Sequence, residues 1–188
     1  MSTTALIVEM VIVGFQALIW MSLIVLIVFG HDWIDISKLK DWATLISLGL
    51  IAISYTIGII FNSLIGSTFF RWESKNWRLF THLPERPARM RAYILIKSKD
   101  ASENLEKRFY QNRLLRGTSI NVLFIGAAVL ILALKHSGFS WRVLIGISFS
   151  TIFVTGIILL SWMQTLQGYY FYLTEVYKAI KKVDELTS

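Results

Sequence analysis

The residue that most suggests chemistry is Glu9, the single ionisable side chain in the apolar stretch 5–29. A charged acid near the centre of a spanning helix costs about 2.5–3.5 kcal/mol, so such a residue usually belongs to a pathway for ions or protons. Gln16 lies two helical turns further along and therefore shares a face with Glu9. Asn62 is a polar residue of a second apolar stretch, 42–70. We therefore predict that Glu9, Gln16 and Asn62 line a pore.

Each of these polar residues also has a structural alternative. Glu9 lies near the end of its stretch, where its carboxylate could reach water or accept a hydrogen bond. Asn62 belongs to a stripe of small and polar residues, which would let two helices approach closely. Asn121, in a third apolar stretch, has the same two interpretations. The stripe consists of Ser47, Ser54, Gly58, Asn62 and Gly66.

A set of arginines between the second and third apolar stretches is the other candidate site. Guanidinium groups match phosphate oxygens bidentately, and Tyr93, Phe109 or Tyr110 could stack on a base. The same charges also attract anionic lipid, or they satisfy the positive-inside rule with no further role. The sequence alone leaves these alternatives open. The candidate ligand-binding residues are Arg86, Arg89, Arg91, Arg108, Arg113 and Arg116.

Other chemistries find no support in the sequence. Cysteine is absent, so disulfides, cysteine nucleophiles and thiolate metal sites are impossible. His31, Asp32 and Asp35 share one short loop but supply no fourth metal ligand. The chain has neither a glycine-rich phosphate loop nor a serine nucleophile motif. We therefore expect no catalytic residue, no metal, no cofactor and no enzymatic activity.

Four long apolar stretches must position these residues in a chain of 188 residues, 55% of them hydrophobic. A spanning helix needs about 20 apolar residues, whereas soluble helices are rarely apolar on all sides over that length. The sequence therefore predicts an all-α polytopic membrane protein. Its predicted spans are 5–29, 42–70, 117–134 and 143–168.

The distribution of charge predicts the orientation. The segment 71–116 carries twelve basic and five acidic residues, and an excess of Lys and Arg marks the cytoplasmic side of a membrane. With four spans, both termini then also lie in the cytoplasm. We expect the protein in the inner membrane of the cell, in contact with its lipid.

The segments outside the predicted spans are also expected to be helical. Pro87 can open a helix that ends near Ile96. Asp100 and Glu103 resemble a capping box, which would start a helix that continues into the third span. Beyond the fourth span, apolar residues at helical spacing predict a cytoplasmic amphipathic helix over 169–188, packed on the 71–116 segment or on symmetry mates. Those residues are Tyr169, Leu173, Val176, Ile180 and Val183.

Two families share parts of this layout. Small multidrug resistance transporters have four spans with an acid in the first, which Glu9 matches, although their chains are much shorter. The whole outline resembles small four-span effectors of bacterial anti-phage defence, including the channel component of Hailong systems. That resemblance rests on the four spans and on the stretch 109–118, FYQNRLLRGT, before the third. It implies a homo-oligomeric, tetrameric channel controlled by a nucleotide-derived signal, which in Hailong systems is a DNA oligomer that holds the channel shut.

We therefore predict a homo-oligomeric channel gated through its basic cytoplasmic helices by an anionic ligand, either a nucleotide or a short nucleic acid. One four-span chain has little room for a hydrated lumen, so the pore would surround a symmetry axis. A cytosolic nucleotidyltransferase encoded nearby would favour this reading. The alternatives are a non-conducting adaptor that binds a cytosolic partner, and a proton-coupled transporter that uses Glu9.

Overall fold

The computed structural model describes residues 3–30, 42–81, 85–137 and 140–187. Within these ranges the chain is helical and contains no strand. All helices except the third are long and apolar enough to cross a membrane, which confirms the predicted all-α, four-span fold. The helices are α1 (Thr3–Phe29), α2 (Ala43–Thr81), α3 (Pro87–Lys97), α4 (Lys99–Ser137) and α5 (Trp141–Thr187).

Three of the helices are much longer than a bilayer requires. The helices α2, α4 and α5 contain 39, 39 and 47 residues, or about 60–70 Å at 1.5 Å per residue. The hydrocarbon core of a bilayer is only about 30 Å thick, so each helix continues well beyond it. The prediction that α4 runs unbroken into the third span is confirmed, as is the continuation of the fourth span. The α2 helix passes the predicted end of its span at residue 70 and stops at Thr81.

The helices α3 and α4 are separated by a single residue, Ser98, which has an extended backbone (φ −145°, ψ 112°). The Ser98 carbonyl accepts the N–H of Ser102 at 3.1 Å, the first hydrogen bond of α4. Ser98 is therefore the N-cap, and the predicted capping box that begins at Asp100 is wrong. Because α4 already begins at Lys99, Asp100 lies inside its first turn. A negative charge there interacts favourably with the helix dipole.

The helices α1 and α2 pack with their backbones in direct contact. A Cβ atom on Gly14 would lie 1.7 Å from the carbonyl oxygen of Ser54, and one on Gly58 would lie 1.9 Å from that of Met10. Only glycine permits such an approach, so the small-residue stripe of α2 is a packing surface at Ser54 and Gly58. Ser47, at the opposite end of the stripe, is exposed.

The helix α1 also packs against α4, and α4 in turn packs against α5. The α4–α5 contact is also close, since a Cβ on Gly126 would lie 2.2 Å from Thr151 Cγ2. The helix α3 lies across α4 and α5. The beginnings of α1 and α4, the ends of α2 and α5, and α3 thus share one end of the bundle, which we call the basic end.

A hydrophobic cluster holds the basic end together. The predicted seam of α5 contributes Tyr169 and Leu173 to it, and Val176 and Ile180 pack against its margin. Val183 is 58% exposed, so the seam ends before that residue. The carboxyl-terminal part of α5 therefore packs on the hairpin of α3 and α4. The buried members of the cluster are Met90, Ile94, Leu105, Trp162, Leu166, Tyr169, Tyr170 and Leu173.

Candidate anion-binding cavity

A buried ion pair joins α1 to α4 at the basic end. Glu9 is 4% exposed, and its Oε1 lies 3.3 Å from Nε of Arg113. The amide oxygen of Asn62, in the orientation that suits its surroundings, accepts hydrogen bonds from Arg113 Nε at 3.0 Å and from Nη2. Glu9 and Asn62, which the sequence predicts to line a pore, therefore contact Arg113. The sequence predicts Arg113 to bind a ligand.

The ion pair leaves the carboxylate incompletely satisfied. Within the described part of the chain, neither oxygen of Glu9 receives a hydrogen bond. A separation of 3.3 Å gives electrostatic attraction, but the contact lacks the alignment of a charge-assisted hydrogen bond. Arg113 is thus held in place by Asn62 and attracted by Glu9, and its guanidinium retains hydrogen-bonding capacity.

A second polar contact lies deeper in the bundle, around Asn121 of α4. Asn121 is fully buried, and its Nδ2 donates to the carbonyl of Val13 at 2.9 Å and to Gln16 Oε1 at 3.4 Å. Its Oδ1 accepts from Trp20 Nε1 at 3.1 Å. Gln16 therefore faces α4 of its own chain in this conformation, and its assignment to a pore stays a prediction.

All five helices enclose a cavity of about 650 Å³ at the basic end. Three of the six predicted arginines line it, and none of the described lining residues is acidic. Aromatic side chains from α4 and α5 form much of the remaining wall. The polar lining consists mainly of Asn62, Arg91, Asn112, Arg113, Arg116 and Tyr169.

Aromatic rings position the three cavity arginines. The guanidinium of Arg91 lies 4.6 Å from the ring centroid of Phe109, and that of Arg113 lies 5.8 Å from the same centroid. Arg116 is 9% exposed and lies 5.8 Å from the ring centroid of Phe69. Cations within about 6 Å of a ring face are attracted by its quadrupole. A ring stabilises a guanidinium without neutralising it, so these ring contacts do not reduce the charge of the three arginines.

The other three predicted arginines lie elsewhere. Arg86, the N-cap of α3, and Arg89, on α3, are exposed and do not line the cavity. Arg108 is exposed as well, and its guanidinium lies 5.0 Å from the ring of Tyr172. The candidate ligand set therefore divides into a cavity group (Arg91, Arg113, Arg116) and a surface group (Arg86, Arg89, Arg108).

Asn112 is a cavity residue that sequence reasoning missed. It is 6% exposed, and within the described part of the chain neither amide atom has a hydrogen-bond partner. Buried amides are nearly always paired, so an unpaired one requires an explanation. The spacing of Asn112 and Arg116 places them on one face of α4. A search for charged residues alone passes over the neutral member of that face.

Polar contacts fasten α3, which carries Arg91, to the carboxyl-terminal part of α5. The hydroxyl of Tyr93 donates a hydrogen bond to Asp184, and Lys97 Nζ lies 2.9 Å from the same carboxylate. These hydrogen bonds to Asp184 raise the pKa of Tyr93 and the pKa of Lys97 above their usual values. Lys181 and Glu85 add an ion pair at 3.7 Å.

The fold and this cavity define a four-span, all-helical membrane protein with a positively charged pocket at one end. Comparison with known protein families, curated proteins and solved structures finds no match. His31, Asp32 and Asp35, which the sequence analysis considered as metal ligands, lie outside the described residues.

Proposed function

We propose that the protein is a homo-oligomeric membrane channel, and that an anionic ligand in the arginine-lined cavity controls its opening. The supporting observation is that all five helices contribute to the cavity. An occupant would contact α3 and also the helices that are long enough to cross a membrane. Binding there would therefore couple the basic end to the rest of the bundle.

Competition for Arg113 provides a mechanism. In this structure Arg113 faces Glu9 at 3.3 Å and also lines the cavity. An anion bound in the cavity would attract the same guanidinium and weaken its hold on α1. A ligand shifts a conformational equilibrium only through its different affinity for the two states. In this proposal the two states differ in whether Glu9 and Arg113 are paired.

The proposed pore lies between protomers. The interior of one bundle is filled by the α1–α2 contact at Gly14 and by the hydrogen bonds of Asn121. Glu9, Gln16 and Asn62 face other helices of the same chain. A conducting state that exposes them to a pore therefore requires their present contacts to break.

Planar-bilayer recording tests the proposal directly. We expect unitary currents from the purified protein that change when a nucleotide or a short single-stranded DNA oligonucleotide is added to the side of the basic end. If Glu9 lines the pore, Glu9→Gln shifts the reversal potential in asymmetric salt. Absence of current under every ligand condition would remove the channel proposal. Native mass spectrometry of the solubilised assembly measures the number of subunits, which the resemblance to the defence channels predicts to be four.

The orientation and cellular role are part of the same proposal. With the basic end in the cytoplasm, a nucleotidyltransferase could supply the ligand during anti-phage defence. Because the chain has no native cysteine, Lys99→Cys introduces a single labelling site at the exposed start of α4. An impermeant maleimide should label it only after the cells are opened. Labelling in intact cells would show that the basic end lies outside the cell and would contradict the proposed orientation.

A proton-coupled transporter is the second candidate, and the incomplete hydrogen bonding of Glu9 favours it. A buried carboxylate without hydrogen-bond donors is suited to accept a proton. In proteoliposomes, this function predicts substrate-driven proton movement that Glu9→Gln eliminates. Proton movement that persists in Glu9→Gln would exclude it.

A further inference from the structure

We infer that the cavity binds one phosphate group of a hydroxyl-bearing phosphate ester, and that Asn112 is one of its ligands. The ester is either the head group of an anionic lipid or a small soluble molecule. The inference rests on the proposed function only in that it identifies the ligand class of the same cavity. Binding itself requires no conduction.

The charge balance of the cavity favours an anion. Three guanidinium groups line it, none of the described lining residues is acidic, and Glu9, which lies beside them, is paired with Arg113. This leaves a surplus of positive charge at Arg91, which has no carboxylate partner among the described residues, in a partly enclosed space. A charge removed from water is costly unless it is paired. A phosphate ester carries between one and about two negative charges and would balance the surplus.

The unpaired groups also specify the chemistry of the ligand. Asn112 Nδ2 and Arg91 Nε are buried donors without a partner among the described residues, and both suit phosphate oxygens. Asn112 Oδ1 is a buried acceptor without a donor. A fully ionised phosphate has no hydrogen to donate to it, whereas the hydroxyl of a neighbouring glycerol or ribose has one. Asn112 would thus bind both parts of a hydroxylated phosphate ester.

The size and position of the cavity limit the ligand to a small group. About 650 Å³ lies within the ~300–1,000 Å³ typical of small-molecule sites, which accommodates one nucleotide or one head group. Asn62 and Gly66 belong to the apolar part of α2, and Arg116 directly precedes the apolar part of α4. The cavity is therefore at the level where a lipid head group and a soluble ester can both reach it.

The test compares two binding variants with a matched control. Arg91→Gln and Asn112→Asp change the cavity, whereas Arg89→Gln removes the same charge from the exposed side of α3. Asn112→Asp keeps the side-chain shape and places a negative charge against the phosphate. Asn112→Leu is a further variant, and it should not destabilise the ligand-free protein because it replaces an unpaired amide.

Two arms distinguish the sources of the phosphate. Native mass spectrometry detects bound lipid after reconstitution in phosphatidylcholine nanodiscs with or without phosphatidylglycerol. Titration with AMP or glycerol 3-phosphate in pure phosphatidylcholine nanodiscs detects a soluble ester. We expect one arm to show binding by the native chain and by Arg89→Gln. Arg91→Gln and Asn112→Asp should weaken it by about ten- to a hundredfold, the effect of losing one hydrogen bond to a charged group.

The inference falls if neither arm shows binding, or if the cavity variants and Arg89→Gln all bind equally. Currents that respond to an anion while Arg91→Gln and Asn112→Asp bind like the native chain would overturn this site and leave the channel intact. Phosphate-ester binding without any current would support the site and remove the channel.

Discussion

Glu9 of α1 and Arg113 of α4 form an ion pair inside the protein, with 3.3 Å between Glu9 Oε1 and Arg113 Nε. The two residues are far apart in sequence and lie on different apolar helices. Their pairing places the single acid of the first span beside the arginine-lined cavity. In the proposed mechanism, it is the contact through which a ligand at the basic end influences α1.

Removing one member of this pair should destabilise the protein more than removing both. Glu9→Gln leaves the positive charge of Arg113 without its carboxylate. Fully buried pairs cost about 3–5 kcal/mol when broken in this way. Because Arg113 is 22% exposed, we expect about 1–3 kcal/mol, with partial recovery in Glu9→Gln/Arg113→Gln. Denaturant unfolding in detergent measures both values.

The control for that cycle is Glu175→Gln, which breaks an exposed pair with Lys178. Exposed pairs of this spacing contribute about 0.2–0.5 kcal/mol, so this variant should unfold almost like the native chain. A Glu9→Gln protein that is as stable as the Glu175→Gln protein would show that the buried pair has no structural role.

Adding one methyl group to the α1–α2 contact should separate these helices. Gly14→Ala places a Cβ 1.7 Å from the carbonyl oxygen of Ser54, a distance that only backbone movement can relieve. We expect a loss of at least about 1–3 kcal/mol, as for overpacking elsewhere. The measurement is the midpoint of thermal unfolding in detergent.

Gly49→Ala is the matched control for this substitution, because a Cβ at Gly49 meets nothing within 4 Å. Alanine in a helix interior stabilises the fold by about 0.5–1 kcal/mol relative to glycine. Gly49→Ala should therefore leave the midpoint of thermal unfolding unchanged or raise it. Equal midpoints for the two variants would contradict the close packing of α1 on α2.

Two isoleucines on α3 should respond very differently to truncation. Ile94 is fully buried in the hydrophobic cluster, whereas Ile96 is 83% exposed. Ile94→Ala should cost about 2–5 kcal/mol through the cavity it leaves and accelerate amide exchange throughout α3. Ile96→Ala should change neither property. If hydrogen exchange of α3 were the same in both variants, the helix would not be anchored through its buried face.

Alkaline pH should release α3 from α5. Asp184 raises the pKa of Lys97 above its usual value near 10.5 and the pKa of Tyr93 above 10.0. A raised pKa means that the folded state favours the protonated form. The stabilisation is therefore complete below the usual pKa and disappears as pH rises through the raised one. A dye attached at Lys99→Cys should report this step above about pH 10.

Asp184→Asn is the variant that checks the cause of the alkaline step. It removes the carboxylate that Tyr93 and Lys97 share. The dye signal should therefore no longer change as the pH rises above about 10. An unchanged alkaline step in Asp184→Asn would assign the transition to other groups.

The fold followed from the sequence because long apolar stretches have few structural options in lipid. The extension of α2 to Thr81 is consistent with the same reasoning, since neither glycine nor proline interrupts the chain between 71 and 81. The start of α4 was predicted wrongly because Ser98 and Asp100 are both good N-cap residues. Only the backbone conformation distinguishes them.

The candidate site was predictable only in part. Charge identified Arg91, Arg113 and Arg116, but no local pattern separates them from the exposed Arg86 and Arg89. That distinction arises from how α3 packs on α4 and α5. The pairing of Glu9 with Arg113 and the unpaired amide of Asn112 are tertiary properties that helical periodicity does not encode.

Single-channel recording of the native chain beside Arg91→Gln and Arg89→Gln tests whether an anion in the arginine-lined cavity controls a channel. We expect currents in all three proteins, with a response to added nucleotide or oligonucleotide that is lost in Arg91→Gln and kept in Arg89→Gln. A bilayer that stays silent with every protein, or an undiminished ligand response in Arg91→Gln, would contradict the proposal.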